Sequence, residues 1–385
     1  MRDESYSSTH PPLPPTTEDH RVDWLRLLRS RRVGAATFHR LMNEHGTASK
    51  ALDALPEVAR TAGVTNYEIC PEGVALAELK AARARGARMI CYGAPDYPEF
   101  LLSLPDAPPL LWALGNIASL KRPMVALVGA RNASSLGLRM ARSLAKGIGE
   151  AGFVVVSGLA RGVDAEAHKA TLQSGTCAVL AGGVDVFYPS ENTRLAEDII
   201  ERGGVIVSER PMGTRPMARH FPARNRIVSG LAQAVVVVEA AAKSGSLITA
   251  RGALDQGREV LAVPGHPLDA RAAGCNMLIR DGARLVRNCE DVLETLPAVE
   301  NQAELPLDPP MPHQEKSRQK THPLGETASL HNRILERLGP SPLPEDQLIR
   351  DLGGSARQIA PALTELELDG RILRQVGGLL CLNTS

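Results

Sequence analysis

The chain has 385 residues, 43% of them hydrophobic and 23% charged, so it is too long for one ordinary domain and apolar enough to fold along most of its length. Its 44 Lys and Arg face 43 Asp and Glu, a formal net charge of +1, which rules out capture of a polyanion by a global field and leaves only a local patch to do it. Aromatic residues make up 3%, which argues against a surface built from rows of stacking rings. The six cysteines (70, 91, 177, 275, 289 and 381) form no CxxC and no Cys/His cluster. They read as small buried hydrophobes of a reducing compartment.

Taken in chain order, residues 1–20 (MRDESYSSTHPPLPPTTEDH) are polar and Pro/Thr-rich, and are expected to form a disordered tail and not a signal peptide. Residues 21–85 carry short helical patterns such as VDWLRLLRS and AATFHRLMNEHG, expected to form a helical domain of the SAM or helix-hairpin-helix kind. A joining region follows, with a strand-like stretch from Met89 to Tyr92. From 123 onward, apolar β-branched runs alternate with helical patterns: Met124 to Val128, Phe153 to Val156, Cys177 to Leu180, Val205 to Val207, Ala234 to Val238, Val260 to Val263 and Arg284 to Val286. Strands apolar on both faces and separated by helices predict an α/β domain over 86–296, with a parallel sheet covered on both sides. Residues 297–327 read as a linker, and 328–385 as three helices and a hairpin turning at Gly377-Gly378, the pattern of a winged helix. The longest apolar runs, such as Ala232 to Val238, are far too short to span a membrane, so a soluble, cytoplasmic protein is expected.

The chemistry gathers where strands end. The first strand of the α/β domain leads into VGARNASSLG, placing Gly129, Arg131, Ser134 and Gly137 before a helix whose free N–H groups suit a phosphate. The spacing is GxRxxSxxG and the second strand ends in SGLARG, so the dinucleotide fingerprint and its acid are both missing. Gly129 and Gly137 also fit a tight turn and close packing alone. Arg131 beside a helix N-terminus opposes the dipole unless an anion arrives. In SGLARGVDAEAH, Asp164 reads as an N-cap or first-turn carboxylate, and His168, four residues on, is placed to brace it. No third member of a triad accompanies them. In AGGVDVFYPSEN, Asp185 and Tyr188 are either site residues or loop-shaping ones.

Between Arg210 and Val238 stand five arginines (210, 215, 219, 224, 226) and no Asp or Glu, a concentrated patch in a neutral chain. Phe221 within this stretch, read as an Arg-rich loop, could stack one base or anchor the loop. Next, EAAAKSGSLITARGAL places Lys243, Ser244, Gly245 and Ser246 before a helix containing Thr249 and Arg251, a second anion socket in which Ser244 also serves as an N-cap. Two sockets beside an Arg-rich loop describe a groove for successive phosphates.

With these residues placed, the chain resembles the DNA processing protein A (DprA/Smf) family from about Ile90 to Leu296. The resemblance is carried by PPLLWALGN, VGARNASSLG, SGLARGVDAEAH, GGVDVFYPSEN, HFPARNRIVSGL, EAAAKSGSLITA, VPGHP at 263–267 and GCNMLIRDGA at 274–283. It implies an extended Rossmann-like, doubly wound sheet flanked by the two accessory domains. It also implies a homodimeric, non-enzymatic protein of natural transformation that binds single-stranded DNA and loads the recombinase RecA onto it in place of single-strand-binding protein, without cofactor or metal. The DNA-binding set so implied is Gly129, Arg131, Ser134, Arg161, Arg219, His220, Phe221, Arg224, Asn225, Arg226, Lys243, Ser244, Gly245, Ser246 and Thr249. A competing reading is a Rossmann-like phosphoribohydrolase, whose PGGxGTxxE motif is answered here by KSGSLITAR, with Ala250 and Arg251 where an acid is wanted. From Glu326 to Ser385, six arginines face eight acids, a net of −2, so the winged helix is expected to bind a partner or itself in preference to DNA.

Overall fold

The computed structural model describes residues 13–297, 324–339, 343–353, 356–375 and 379–383. Most of the expected tail and linker, and the turn at Gly377-Gly378, lie outside these residues. Two compact units divide the chain after Asn301. Among the described residues, no helix is long and apolar enough to cross a membrane.

The first unit opens with helices α1 (Glu18–Arg29), α2 (Ala35–His45), α3 (Ala48–Thr61) and α4 (Glu72–Ala84). Thr17 and Thr47 cap α1 and α3 by accepting from the N–H groups of His20 and Lys50, which satisfies donors that a helix start leaves free. Their apolar faces bury Trp24, Leu27, Phe38, Leu41, Leu52 and Leu55. Arg29 forks onto Glu78 of α4 at 2.8 and 2.9 Å, and Glu78 also accepts from the indole N–H of Trp112 at 2.8 Å. These contacts tie the helices to the sheet edge, whose Leu110, Trp112 and Leu114 share their core.

The sheet contains β1 (Arg88–Cys91) and, after the short helix α5 (Glu99–Leu102), β2 (Leu110–Gly115). Seven strands follow in alternation with helices: β3 (Met124–Val128), α6 (Ser135–Glu150), β4 (Val154–Ser157), α7 (Val163–Ala170), β5 (Thr176–Val179), α8 (Thr193–Glu201) and β6 (Val205–Ser208). The second half is α9 (His220–Leu231), β7 (Ala234–Val237), α10 (Gly245–Asp255), β8 (Glu259–Ala262), α11 (Ala273–Arg280), β9 (Arg284–Leu285) and α12 (Cys289–Leu293). Strand order is β1-β2-β6-β5-β4-β3-β7-β8-β9. The strands β3 to β9 are parallel, and β3 to β8 carry the buried apolar runs expected of such a sheet, whereas both residues of β9 are exposed; β1, within the expected strand-like stretch, and the unanticipated β2 add an antiparallel edge. Core residues lie on both faces, with Val128, Val156 and Val237 on one and Leu127, Val155 and Val236 on the other.

This order fixes where a ligand can sit. From β3 the chain winds outward through β4, β5 and β6, then returns to place β7 on the other side of β3. The loops leaving β3 and β7 therefore diverge at the carboxyl edge and open a crevice between them, the usual ligand position in such sheets.

The second unit holds α13 (Leu324–Arg337), β10 (Leu343–Pro344), α14 (Glu345–Leu352), α15 (Ala356–Leu368), β11 (Ile372–Gln375) and β12 (Leu379–Leu382). Its three strands pair in the order β10-β12-β11 beside a core of Ile334, Leu348, Leu363, Leu366 and Leu380. Three helices with a small sheet make this a winged helix.

Candidate nucleic-acid interface

At the end of β3 the chain turns through Gly129, where a Cβ would stand 2.6 Å from Val163 of α7, so only glycine allows the close approach. Ser134 caps α6 by accepting from the N–H of Gly137 at 3.0 Å. The backbone N–H of Ser134 donates to both carboxylate oxygens of Glu239 at 3.1 Å, and its hydroxyl donates to Glu239 Oε2 at 2.8 Å. Glu239 follows β7 and is only 7% exposed. The first of the two expected sockets is therefore filled by the protein itself, and Ser134 offers no free donor to a ligand.

The second socket is open. Ser244 caps α10 by accepting from the N–H of Ser246 at 3.3 Å, and the two hydroxyls share a hydrogen bond of 2.6 Å. Around Gly245, the first residue of α10, a Cβ would meet no atom within 4 Å. The open space is a cavity of about 660 Å³ whose lining includes Gly129, Asn132, Phe221, Asn225, Gly245 and Thr249. Arg131, Arg224, Lys243 and Arg271 bring four cations to its wall, where Asp164 is the one carboxylate of the lining, and Arg271 is paired from outside the lining with Asp269 at 3.0 Å and Glu239 at 3.6 Å. Free N–H groups of a helix start and this excess of cations make the cavity a receptor for phosphate.

Residues 220–231 are helical, so His220, Phe221, Arg224, Asn225 and Arg226 project from α9 and do not belong to a loop as expected. Successive side chains on a helix face different ways, and the run of arginines is split accordingly. Arg224 turns inward and is 6% exposed. It donates from Nη1 to the carbonyl of Val179 at 2.8 Å, and its Nε has no partner among the described residues. A Cβ at Gly158 would fall 1.7 Å from that guanidinium, so the glycine is what gives Arg224 its place. Burial pulls the Arg224 pKa down to about 10, with the charge of Asp164 opposing the fall. Burial likewise raises the Asp164 pKa, opposed by Arg224 and by N–H groups of Ala160 and Gly158.

Asp164 is thus a first-turn carboxylate of α7, one of its two expected places, and braces the turn after β4, while the N-cap is Gly162. The expected Asp164–His168 contact is not formed. His168 instead pairs through Nδ1 with the Thr176 hydroxyl at 2.7 Å, and that hydroxyl donates to the Val155 carbonyl at 3.0 Å. The hydroxyl has one hydrogen to give, so Nδ1 carries the proton in the neutral ring. Burial, with Arg224 adding to it, holds the His168 pKa at about 3. Asp185 accepts from the N–H of Gly213 at 2.8 Å and so shapes the loop.

Arg131 lies over the ring of Phe221, 5.2 Å from its centroid, and Tyr188 stands 6.0 Å from the same ring. A smaller cavity of about 150 Å³ adjoins on the far side, sharing Arg131, Gly158, Phe221 and Arg224 with the first and adding Arg161 and Tyr188. Arg161 is paired there with Glu191 at 3.6 Å. The two cavities form one groove with the Arg131–Phe221 pair between them.

Besides Ser134, three residues of the set named from the sequence lie outside this groove. Arg226 is held by Glu209 at 2.6 Å and Asp106 at 3.2 Å. His220 is 4% exposed and accepts from the N–H of Met217. Arg219 is exposed before α9 and lines neither cavity. Arg210 is likewise paired, with Glu209 at 3.6 Å, so the acid-free run overstated the patch. Conversely, Asn132 and Arg271 line the cavity and were not anticipated. The signal for Arg271 was a cation in VPGHPLDARAAG, just past the carboxyl end of β8, where the switch-point rule would have looked. Among the described residues, the six cysteines form no disulfide.

Comparison with known proteins bears on this geometry. The profile of the family described as DNA recombination-mediator protein A matches residues 88–297. Those of the DprA-like N-terminal HHH domain and the DprA winged helix domain match 18–81 and 318–378. The DNA processing protein DprA of Streptococcus pneumoniae is 47% identical over 199 residues, 51% of this chain and 70% of that protein. Protein Smf of Escherichia coli is 39% identical over 284 residues, 73% of this chain and 74% of that protein. The X-ray structure of DprA from Streptococcus pneumoniae aligns with a TM-score of 0.55 at 39% identity, covering 63% of this chain and 87% of that one. DprA from Helicobacter pylori, studied for its single-stranded DNA binding mode, aligns with a TM-score of 0.50 at 28% identity, covering 54% of this chain and 95% of that one.

Proposed function

Because this chain belongs to the DNA recombination-mediator protein A family, we propose that it holds single-stranded DNA by its phosphates in the groove at the end of β3 and β7. The observation that carries the reading is the convergence of Arg131, Arg224, Lys243 and Arg271 with the open amino end of α10 on one cavity. Each of these groups suits a phosphate, and a groove that takes the strand by its phosphates binds independently of sequence. Phe221, tilted against Tyr188 and covered by Arg131, offers one ring for a base at the step between the two cavities.

By the same family reading, the protein is a cytoplasmic homodimer without catalytic turnover that hands its strand to RecA and displaces single-strand-binding protein. The winged helix serves a protein partner or a second copy of this chain. In support, Arg374 on β11 is engaged by Glu345 and Glu367, which removes a cation from the wing.

The test is oligothymidine binding across a salt series. Four cations on phosphates give a single-strand salt slope of about −3, so a fourfold rise in salt weakens binding roughly fiftyfold. Salt-independent binding, or release of free base on incubation with nucleoside monophosphates, would overturn the reading in favour of another ligand or of a hydrolase.

A further inference from the structure

Glu239 sits where a phosphate-bearing cofactor would bind in this topology. In doubly wound sheets, the strand, tight turn and helix start at the switch point receive a pyrophosphate on the free N–H groups of the helix. Here those features are β3, the turn from Gly129 and the amino end of α6, and the Glu239 carboxylate stands against them, held by the N–H of the N-cap residue Ser134. Both of its oxygens accept from the Ser134 N–H, and one accepts from the Ser134 hydroxyl as well. The approach leaves no slack, since a Cβ at Gly137 would fall 2.0 Å from Glu239 Oε2. Arg271 closes the remaining side, 3.6 Å from Glu239 and held on its other face by Asp269 at 3.0 Å.

We propose that Glu239 is a specificity-determining residue: its carboxylate occupies the anion seat at the amino end of α6 and excludes pyrophosphate-bearing ligands, that is, dinucleotides and nucleoside di- and triphosphates. Three observations converge on it. The seat has the topology of a pyrophosphate site, its occupant is a buried carboxylate, and the N-cap residue Ser134 gives that carboxylate both its N–H and its hydroxyl. The contrast with the neighbouring cavity supports the assignment, because there the buried Arg224 Nε is left without a partner and the α10 end is open. A like charge held in place repels a second anion strongly where water is scarce, and the Ser134 N–H and hydroxyl, already engaged by Glu239, cannot serve two acceptors well.

Removing the side chain should vacate the seat. Glu239→Ala in the full chain is expected to bind inorganic pyrophosphate at least tenfold more tightly than the parent protein, measured by isothermal titration. Its thermal midpoint, lowered by loss of the carboxylate, should be raised by pyrophosphate or acetate far more than that of the parent. Unchanged pyrophosphate affinity in a folded Glu239→Ala protein would overturn the proposal. Should the variant not fold in anion-free buffer, refolding with pyrophosphate is the second measurement: recovery supports the proposal and no recovery overturns it. No arm contains DNA, so the result stands apart from the strand-binding reading.

Discussion

The amino ends of α6 and α10 start from nearly the same chemistry, a serine cap followed by a turn of small residues, and finish in opposite electrostatic states. At α6, Ser134 caps the helix and then gives its own N–H and hydroxyl to Glu239, whose approach depends on Gly137. At α10, Ser244 caps the helix, the approach past Gly245 is clear, and the cavity it opens on is lined by Lys243, Arg224, Arg131 and Arg271 with the one carboxylate of Asp164. A helix start attracts anions in both cases. What decides whether it becomes a ligand site or a structural joint is a residue from another part of the chain.

The largest effect should come from the cation that faces the open end from inside the protein. Replacing Arg224 with alanine removes the donor to the Val179 carbonyl and leaves the Asp164 charge without its compensating partner. Loss of one member of a buried charged set costs about 3–5 kcal/mol, which urea denaturation would measure, and strand binding should fall with it. A variant as stable as the parent would mean that Arg224 serves the ligand alone. Lys243→Glu isolates the same end without this structural cost, because Lys243 is exposed. Its stability should stay within about 0.5 kcal/mol, while oligothymidine binding weakens on the order of ten- to a hundredfold and the salt slope loses about 0.7. Unchanged gel shifts with this variant would remove α10 from the interface.

The closed end is tested by Gly137→Ala. The new methyl must push the Glu239 carboxylate off Ser134, so a stability loss of about 1–3 kcal/mol is expected from the broken charge-assisted hydrogen bonds. Thermal or urea unfolding reads it directly, and a neutral result would show that the carboxylate relaxes without cost.

Much of this was legible in the sequence, and the missing parts share a cause. The parallel strands β3 to β8 could be read because a strand buried on both faces is apolar along most of its length, as in Val125, Ala126 and Leu127. The turn residues Gly129, Arg131, Lys243 and Gly245 could be read because local chemistry marks a helix start. Pairings between distant segments could not. Glu239 lies 105 residues from Ser134, and Arg226 is neutralised partly by Asp106, far upstream in the chain. A count of charges along the chain saw five arginines in a row of neighbours, whereas α9 sends Arg224 into the cavity and Arg226 to its two acids. Strand β2 escaped because LLWALG follows a proline pair and runs antiparallel between β1 and β6, outside the strand–helix alternation that marked the others.

The smallest change gives the most direct comparison. Gly245→Ala places a methyl group at the open helix start just as Gly137→Ala does at the closed one, but here it meets no atom within 4 Å. Gly245 does not need a left-handed backbone, since its φ lies outside the positive range, so alanine fits the helix and restricts the unfolded chain. Stability should therefore rise slightly, by up to about 1 kcal/mol. The methyl nonetheless stands in the space through which a phosphate would reach the first N–H groups of α10, so oligothymidine affinity should fall a few-fold while the protein becomes firmer. Opposite signs for stability and binding at Gly245, set against a stability loss at Gly137, distinguish an open receptor from a filled joint. If Gly245→Ala gained stability and kept full affinity, the phosphate would have to approach through Lys243 and the arginines, and the helix start would contribute only its field.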